Sequence, residues 1–374
     1  MNDKRTRLIL LTAGFTTTIA HSTLSPIFPA YIRSVGGAIA EIGTFFKVYS
    51  LCWVPLQVIA GYLADRFGRR RVACSGLLIF GSSTILMVMA DSVGDLIALR
   101  ILQGIGLGLF GPSILGAVAS LEEAGRSFAE FRTAQVTAFI IGPVLGGSLA
   151  DISMDLPLIL SSAGAFSSIL PLLWAEEVTG KESEDRPSSI RELFRNRLIL
   201  LVCLGGFLAE CVFASFEIVV PTIGSLMGWP VRETGMVLSS YFLSFILTQI
   251  PLGELAERVG KRRVVILCLV TSSAVSLLML KSNNPFLFAV EMGLLGVTLG
   301  GVFVQSTAMV GDFAPEESKS LYMALFDSVI DLSFLVAPVL STLFLTIHLK
   351  ANFLLWALLF LLATFLFSLV KEPD

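Results

Sequence analysis

Long apolar stretches alternate with short polar segments along this chain. Most of the stretches contain about 20 residues or more, the length that an α-helix needs to cross a bilayer. Continuous helices are expected because backbone N–H and C=O groups find no water partners inside lipid. The pattern therefore predicts an all-α membrane protein with twelve transmembrane helices, at residues 8–31, 41–63, 72–90, 94–119, 130–150, 155–174, 198–225, 234–256, 264–281, 286–311, 320–346 and 351–370.

Composition narrows the class further. The chain is 55% hydrophobic and only 15% charged, whereas soluble domains carry about 25% charged residues. Its five cysteines all lie in predicted spans without CxxC or metal-ligand spacing, so we expect neither disulfides nor a metal site. No phosphate-binding Gly-x-x-x-x-Gly-Lys loop or nucleophile–base pattern occurs. The sequence therefore predicts neither an enzyme nor an ATP-driven pump. We also expect the protein to bind no cofactor and no nucleic acid.

Basic residues are distributed unevenly between the predicted loops. With the N-terminus assigned to the cytoplasm, 20 of the 26 lysines and arginines fall in cytoplasmic segments or, for Arg132, at the cytoplasmic end of a span; four fall outside, and Lys47 and Arg100 lie within spans. Cytoplasmic loops of membrane proteins carry an excess of basic residues. This bias predicts a multi-pass protein of the cell membrane with both termini in the cytoplasm.

A charged phrase interrupts the apolar pattern twice, 192 residues apart. The first copy, "GYLADRFGRRRV", begins at Gly61, and the second, "GELAERVGKRRV", begins at Gly253. Generic hydrophobicity would not align glycine, proline, tyrosine and glutamine at one spacing. The same offset nevertheless aligns Gly14 with Gly206, Pro29 with Pro221, Tyr49 with Tyr241 and Gln57 with Gln249. The sequence predicts two parallel six-helix halves, 1–175 and 198–374, joined by a cytoplasmic linker, 176–197.

The first copy resembles the signature that follows the second helix in the major facilitator superfamily. Every fixed position of that signature is filled, by Gly61, Leu63, Ala64, Asp65, Arg66, Gly68, Arg69 and Arg70. The resemblance extends over essentially the whole chain. It implies that fold, with a substrate site at the membrane midplane between parallel halves.

The resemblance implies that the phrase beginning at Gly61 forms a cytoplasmic gate. Asp65 is expected at the positive N-terminal end of the eleventh helix, and Arg69 is expected near an acid at the cytoplasmic end of span four, Glu122 or Glu123. Gly61 is expected to allow close helix approach. The second copy, with Glu257, Arg258, Gly260 and Lys261, predicts a weaker gate. The alternative is that the arginines only determine topology.

Two further segments resemble functional signatures of proton-driven members. "LRILQGIG" places Arg100 and Gln103 inside span four, and the resemblance implies a role for the buried arginine in proton coupling. The alternative for Arg100 is a structural ion pair. "AFIIGPVLGG" resembles the helix-five signature of drug antiporters, although Ala138 replaces one of its glycines. Proline and glycine favour a kink in this helix, and these residues are Gly142, Pro143, Gly146 and Gly147.

Several other polar residues lie within the predicted spans. His21 follows a run of threonines on the first helix, so we expect it to line a cavity. Glu210 and Glu217 share one face of span seven, and Asp327 and Asp331 lie one turn apart on span eleven. Ionisable residues inside a membrane are functional by default. The alternative is that each is buried in a fixed hydrogen-bonded pair.

The sequence thus predicts a secondary transporter that works by alternating access. We expect a monomeric, proton-coupled antiporter that exports small amphipathic or drug-like compounds, with protons, substrate and the lipid bilayer as its partners. A proton symporter that imports a carboxylate or a sugar is the first alternative. A lipid scramblase or a non-transporting sensor is a more distant one.

Overall fold

The computed structural model describes residues 3–121, 123–174, 197–314 and 319–370, and this part of the chain is helical and contains no β-strand. The first half contributes α1 (Asp3–Ser22), α2 (Phe28–Ser34), α3 (Ile39–Phe67), α4 (Arg69–Leu86), α5 (Val93–Ala119), α6 (Ala124–Ala150) and α7 (Leu156–Leu173). The second half contributes α8 (Arg197–Met227), α9 (Val231–Val259), α10 (Lys261–Met279), α11 (Pro285–Phe313), α12 (Lys319–Asp331), α13 (Ser333–Ile347) and α14 (Ala351–Ser368).

Within the described residues, eleven helical segments are long and apolar enough to cross a membrane. One of them, Leu325–Ile347, combines the end of α12 with α13. α1 and α2 occupy the region of the first predicted span, 8–31, which is not among these eleven. The all-α polytopic fold predicted from the sequence is confirmed.

The first span differs from its prediction, because it is not continuous from 8 to 31. α1 ends at Ser22, and a turn precedes α2. Pro26 has no N–H to donate to the carbonyl of Ser22, so the helical ladder is interrupted there. The preceding backbone tightens instead, and the N–H of Ser25 donates to the carbonyl oxygen of Ser22 at 3.3 Å. Signals for this break, the two prolines of "SPIFP", were present in the sequence.

Both charged phrases bend the chain in the same way. Gly68, between α3 and α4, has φ +99°, and Gly260, between α9 and α10, has φ +97°. L-residues with side chains rarely adopt this conformation. The two positions are 192 residues apart, so the repeat read from the sequence is also a repeat of backbone geometry.

Helix packing repeats at the same offset. A Cβ built at Gly104 of α5 would lie 2.7 Å from the carbonyl oxygen of Tyr49 on α3. A Cβ built at its counterpart Gly296 of α11 would lie 2.2 Å from the carbonyl oxygen of Tyr241 on α9. Small residues let the backbones of membrane helices approach each other. One turn further, the same pairing recurs for Gly108 on Trp53 and for Gly300 on Phe245.

The chain forms two compact units. Unit 1 contains Met1–Ser183 and Val220–Ser239, and unit 2 contains Glu184–Val219 and Ser240–Asp374. In unit 1, α5 packs on α3 and α4, and α1 packs on α6 and α7; in unit 2, α10 packs on α11 and α14. The expected linker, 176–197, lies almost wholly outside the described residues.

Contacts on α2 and α6 explain why 220–239 belongs to unit 1. The Arg33 guanidinium at the end of α2 donates to the carbonyl oxygen of Ser225, at 2.6 Å, and to its hydroxyl oxygen, at 3.1 Å. Arg33 and Ser225 are themselves 192 residues apart. A Cβ at Gly147 of α6 would lie 2.5 Å from the carbonyl oxygen of Val231. The first turns of α9 therefore pack directly against the backbone of α6.

Candidate functional site

Arg100 lies deep inside unit 1 and is surrounded by aromatic rings. Its side chain projects from α5, and the residue is 2% exposed. The guanidinium carbon lies 4.0 Å from the ring centroid of Tyr49, and three phenylalanine rings complete the enclosure. Those rings are Phe28 at 4.4 Å, Phe45 at 4.8 Å and Phe46 at 5.6 Å. Aromatic faces carry negative quadrupole potential, so this enclosure stabilises a buried cation.

A hydrogen-bonded chain fixes the other side of Arg100. Its Nη1 donates to Oε1 of Gln103 at 2.7 Å, and Nε2 of Gln103 donates to the hydroxyl oxygen of Thr84 at 2.7 Å. Gln103 is fully buried. Buried polar groups need such partners because an unsatisfied one costs the full desolvation penalty. The structure therefore brings Arg100 and Gln103, both predicted from one motif, into one polar cluster.

His21, near the end of α1, belongs to the same region. Its Nε2 lies 3.2 Å from the hydroxyl oxygen of Tyr49, and the two rings are stacked with centroids 5.9 Å apart. Phe80 and Phe139 also face the imidazole, at 6.4 Å and 6.5 Å between ring centroids. We call His21, Tyr49, Arg100, Gln103 and Thr84 the unit 1 cluster.

Unit 2 repeats these rings without the histidine. Phe213 occupies the position 192 residues after His21, and its ring centroid lies 5.5 Å from that of Tyr241, the counterpart of Tyr49. Phe334 meets Phe213 edge-on at 6.2 Å, as Phe139 meets His21. Both units thus share the aromatic rings, but unit 1 has a histidine where unit 2 has a phenylalanine.

Acidic residues distinguish unit 2. The carboxyl groups of Asp331 and Asp327, on α12, both lie close enough to Glu210 of α8 to interact with it. Glu210 also lies close enough to the hydroxyl group of Tyr241 to interact with it. Glu210 and Asp331 are half-buried, and Asp327 is exposed. We call Glu210, Asp327 and Asp331 the acid cluster; Glu217, half-buried two turns along α8, is the remaining predicted acid.

The glycines of "GPVLGG" are sites of close helix packing. On α6, a Cβ at Gly142 would overlap Ser22, and one at Gly146 would overlap the backbone of Thr23. The Ser22 hydroxyl also donates to the carbonyl oxygen of Ala138 at 3.2 Å. On the α9 side, Gly235 packs on the carbonyl of Pro143. The motif therefore fits α6 between the end of α1 and the start of α9.

The first charged phrase makes contacts within unit 1. Arg69 donates to Oδ1 of Asp65 at 3.3 Å and also to the carbonyl oxygen of Gly116 and the hydroxyl of Ser120, at the end of α5. Asp65 remains exposed. Arg66 donates to the Tyr62 hydroxyl at 3.3 Å.

One expectation for this phrase differs from the structure, and the expected contact of Arg69 with Glu122 or Glu123 is tested only for Glu123. No atom of the described residues lies within 4 Å of a Cβ built at Gly61, so that glycine makes no close helix contact here. Glu123 pairs with Arg7 at 3.2 Å and Arg126 at 3.4 Å. Arg7 lies on α1, far from Glu123 in sequence. The order of the spans along the chain therefore could not identify Arg7 as the partner of Glu123. Glu122 lies outside the described residues.

The second copy forms a related set of contacts. The Lys261 ammonium donates to Oδ2 of Asp312 at 2.5 Å, and Asp312 is the counterpart of Ser120. Glu257 and Arg258 are exposed. Arg262 donates to the carbonyl oxygens of Phe367 and Ser368, at the C-terminal end of α14. A cation at that end of a helix is favoured by the helix dipole.

Sequence reasoning missed the partners of the arginine and the histidine. Tyr49 was noticed only as one residue of the repeat, although it contacts both groups. Thr84 and the three phenylalanines around Arg100 carried no motif. A cation inside a membrane needs polar or aromatic neighbours, so Arg100 itself indicated that such neighbours exist. They could not be identified from the sequence because they lie on other helices and depend on how those helices pack.

A polytopic helical fold with an internal repeat and polar clusters inside its membrane helices is typical of membrane transport proteins. The chain belongs to the Major Facilitator Superfamily, whose family profile matches residues 10–230 and 202–374. This confirms the family resemblance and, with it, the expectation of a multi-pass transporter rather than an enzyme.

Individual relatives support this assignment. Multidrug resistance protein 2 of Bacillus subtilis (strain 168) is 24% identical over 326 residues, which cover 81% of this chain and 78% of the relative. The multi-drug resistance efflux pump PmrA homolog of Lactococcus lactis subsp. lactis (strain IL1403) is 23% identical over 358 residues, covering 91% and 88%. The crystal structure of the nucleoside transporter NupG matches with a TM-score of 0.80 at 14% identity, over 100% of both chains. The last similarity is one of fold.

Proposed function

We propose that this transporter is a proton-coupled antiporter that exports small amphipathic compounds by alternating access. The observation that carries the proposal is the acid cluster, in which the carboxyl groups of Glu210 on α8 and of Asp331 and Asp327 on α12 are close enough to interact within the membrane helices. Carboxylates that share a site of low dielectric constant do not all ionise together. A proton held there is displaced when a substrate or a conformational change alters the surrounding charge.

The surroundings of the acid cluster suit amphipathic substrates. Phe213 lies one turn from Glu210 on α8, and its ring packs against Tyr241 and Phe334. Aromatic faces bind planar apolar groups and attract cations, and a nearby carboxylate adds charge recognition. Export agrees with the names of the two bacterial relatives, which describe multidrug resistance and efflux.

The remaining proposals concern topology and gating. The positive-inside bias supports cytoplasmic termini in a cell membrane. The 192-residue repeat supports the two halves 1–175 and 198–374. With that orientation, the contact of Arg69 with Asp65 and with the end of α5 lies on the cytoplasmic side. We assign this cluster to the cytoplasmic gate.

Transport by purified protein in proteoliposomes tests the role of the acid cluster. Glu210→Gln removes the central charge with little change of volume, and we expect it to abolish substrate accumulation driven by a pH gradient. Glu254→Gln, an exposed position on α9, is the matched control and should accumulate substrate like the wild type. Downhill exchange of substrate should persist in Glu210→Gln, which separates a coupling defect from misfolding. Undiminished gradient-driven accumulation in Glu210→Gln would remove the acid cluster from the coupling mechanism.

The importing symporter makes the opposite prediction for direction. Its substrate would move with the proton, so an inward proton gradient would load vesicles with a metabolite instead of expelling a dye. Vesicles with both gradient directions and a panel of dyes, carboxylates and sugars distinguish the two.

A further inference from the structure

Lys350 lies in the short connection between α13 and α14, and its ammonium group rests on the end of α10. Nζ lies 3.0 Å from the carbonyl oxygen of Leu280, 2.7 Å from that of Ser282 and 2.7 Å from Oδ1 of Asn283. A cation at the C-terminal end of a helix satisfies carbonyl groups that have no partner within the helix. An ammonium group has three N–H donors, so these three oxygen atoms occupy all of them.

Glu291, near the start of α11, is the acid beside this site, and the residue is 4% exposed. Its Oε1 lies 2.5 Å from the hydroxyl oxygen of Ser282, which in turn lies 3.5 Å from the carbonyl oxygen of Leu278. Oε2 is enclosed and has no hydrogen-bond partner among the described residues. Ser282 thus joins the two groups, because its carbonyl oxygen accepts from Lys350 and its hydroxyl group meets Glu291.

The contacts of Lys350 indicate which form of Glu291 is present. A buried carboxylate needs a partner for its charge, and otherwise it takes up a proton. Lys350 lies close enough to Glu291 to interact with it, yet its three donors go to uncharged oxygen atoms. A neutral carboxyl group explains this arrangement. Its O–H donates from Oε1 to Ser282, the hydroxyl of Ser282 donates to Leu278, and Oε2 is an uncharged carbonyl oxygen.

We propose that Glu291 is a proton-binding site, and that Lys350 changes partners when the proton leaves. With the proton in place, Lys350 stays on the end of α10, as in the structure. When the proton passes to the aqueous phase, the carboxylate becomes negatively charged, and the ammonium group moves from the carbonyl oxygen atoms to it. The inference goes beyond the acid cluster and does not depend on antiport.

The exchange of partners changes how unit 2 is fastened at this end. Lys350 is the contact that holds the connection between α13 and α14 on the end of α10. Loss of the proton from Glu291 releases that contact and draws the connection towards α11 instead. With the topology proposed above, this end of unit 2 faces the outside, so the fastening responds to the external pH.

The elements packed around Glu291 bring no second charge to it within the described residues, where Lys350 is the charged group close enough to interact. The face of α9 that meets this part of α11 presents Ser240, and the face of α14 presents Phe353. Neither side chain titrates. Lys281, in the connection between α10 and α11, is exposed. The pH dependence therefore belongs to Glu291 and Lys350.

The other half of the repeat has neither group. Leu99 stands 192 residues before Glu291, and Asp155 stands 195 residues before Lys350, the offset that also relates Pro143 to Pro338. The fold itself thus accepts leucine at the place of the buried carboxyl group. This contrast points to a role for Glu291 beyond packing.

Infrared difference spectroscopy of full-length protein in lipid nanodiscs tests the proton directly. A protonated carboxyl group has a C=O stretching band that a carboxylate lacks. At neutral pH, we expect the difference between wild type and Glu291→Gln to show one such band, which disappears as the pH is raised. Glu254→Gln, at an exposed position on α9, is the matched control and should remove no such band. Absence of a protonated-carboxyl band in the Glu291→Gln difference at neutral pH would overturn the proposal.

Replacement of the neighbouring cation tests the link between the two groups. An opposite charge nearby favours a carboxylate, so its removal in Lys350→Met should make the proton bind about tenfold more tightly. The infrared band should then persist to a pH about one unit higher. Lys281→Met, which removes the exposed cation, is the control and should leave the midpoint in place. An unmoved midpoint in Lys350→Met would overturn the proposal.

A measurement on the wild type guards against misfolding of that variant. The ¹⁵N-lysine NMR signal of Lys350, assigned with Lys350→Arg, should change with the midpoint of the infrared band because the ammonium group changes partners. Glu291→Gln, which has the shape of the neutral acid, should abolish this change and leave only the loss of the ammonium proton at higher pH. A constant Lys350 signal through the carboxyl titration would contradict the proposal. Proton-driven export without a protonated Glu291 overturns only this inference, and a titrating Glu291 without proton-driven transport overturns only the proposed function.

Discussion

At the scale of single residues, the structure shows how a membrane interior accommodates a permanent cation. Insertion of an arginine at the centre of a membrane helix costs at least about 2.5 kcal/mol, and a desolvated cation–π contact contributes about 2 kcal/mol. Four ring faces and the Gln103 amide surround Arg100. Aromatic enclosure and hydrogen bonding together offset the cost of burial, so Arg100 remains charged within the protein.

The amide of Gln103 provides a test at this scale. Gln103→Leu removes the acceptor of Arg100, and we expect the free energy of unfolding to fall by about 1–3 kcal/mol, the usual cost of an unsatisfied buried group. The counterpart of Gln103 in unit 2 is Leu295, so the fold itself accepts leucine at this place. Thermal unfolding in detergent measures the loss. Equal stability of wild type and Gln103→Leu would show that Arg100 does not depend on this hydrogen bond.

Sequence motifs identified individual functional residues better than they identified the residues that contact them on other helices. Arg100 and Gln103 were predicted together because they lie three residues apart on one helix, and the structure joins them. The pairing of Glu123 with Arg7 and the ring of Tyr49 over Arg100 depend on which helices pack together. Linear spacing contains no such information for helices separated by tens of residues.

At the scale of helices, glycine positions control how closely α1, α6 and α9 pack. Length and hydrophobicity were sufficient to predict the spans, since a bilayer requires long helices with internal hydrogen bonds. They did not predict the interruption between α1 and α2, because a periodicity measure gives no weight to two prolines within an apolar run. The repeat did predict equivalent contacts, such as Gly104 on Tyr49 and Gly296 on Tyr241.

A larger side chain at the contact between α6 and α9 should disturb transport. Gly147→Ala places a Cβ 2.5 Å from the carbonyl oxygen of Val231, so the helices must separate. Overpacking costs about 1–3 kcal/mol, and we expect the initial transport rate to fall by about tenfold. Gly111→Ala on α5, where a Cβ meets no described atom within 4 Å, is the control and should leave the rate unchanged. Similar rates for the two variants would show that this contact has no role in the cycle.

The bend between α3 and α4 allows a comparison within one motif. Gly68→Ala forces a side chain into a conformation with φ +99°, and we expect it to cost about 1–3 kcal/mol of stability. Gly61→Ala, seven residues earlier in a position without close neighbours, should cost far less. Unfolding midpoints of both variants measure the difference, and equal losses would argue against a special role of the bend.

At the scale of the whole molecule, the central question is how charge on the membrane helices drives an export cycle. The sequence predicted the family and the intramembrane acids, and family membership was confirmed. The grouping of Glu210 with Asp331 and Asp327 required the structure, because α8 and α12 are more than 90 residues apart in sequence.

The cytoplasmic gate makes a prediction at this scale. If Asp65 stabilises the state in which the cytoplasmic ends are closed, Asp65→Asn should raise the inward-open population by about two- to fivefold, the effect of about 0.3–1 kcal/mol at a helix terminus. Distances between spin labels at the cytoplasmic ends of spans two and eleven would report the shift. Glu257→Gln, in the second phrase, should have a smaller effect. An unchanged distance distribution and normal transport in Asp65→Asn would reduce the phrase to a signal for topology.

Simultaneous recording of proton and substrate flux in proteoliposomes tests the central claim most directly. A pH-sensitive dye inside the vesicles reports protons, and a fluorescent amphipathic compound reports substrate. Antiport predicts that an imposed substrate gradient drives protons in the opposite direction, and that this proton flux disappears in Glu210→Gln while downhill exchange of substrate remains. Movement of protons and substrate in the same direction, or substrate flux with no proton movement in the wild type, would contradict proton-coupled export.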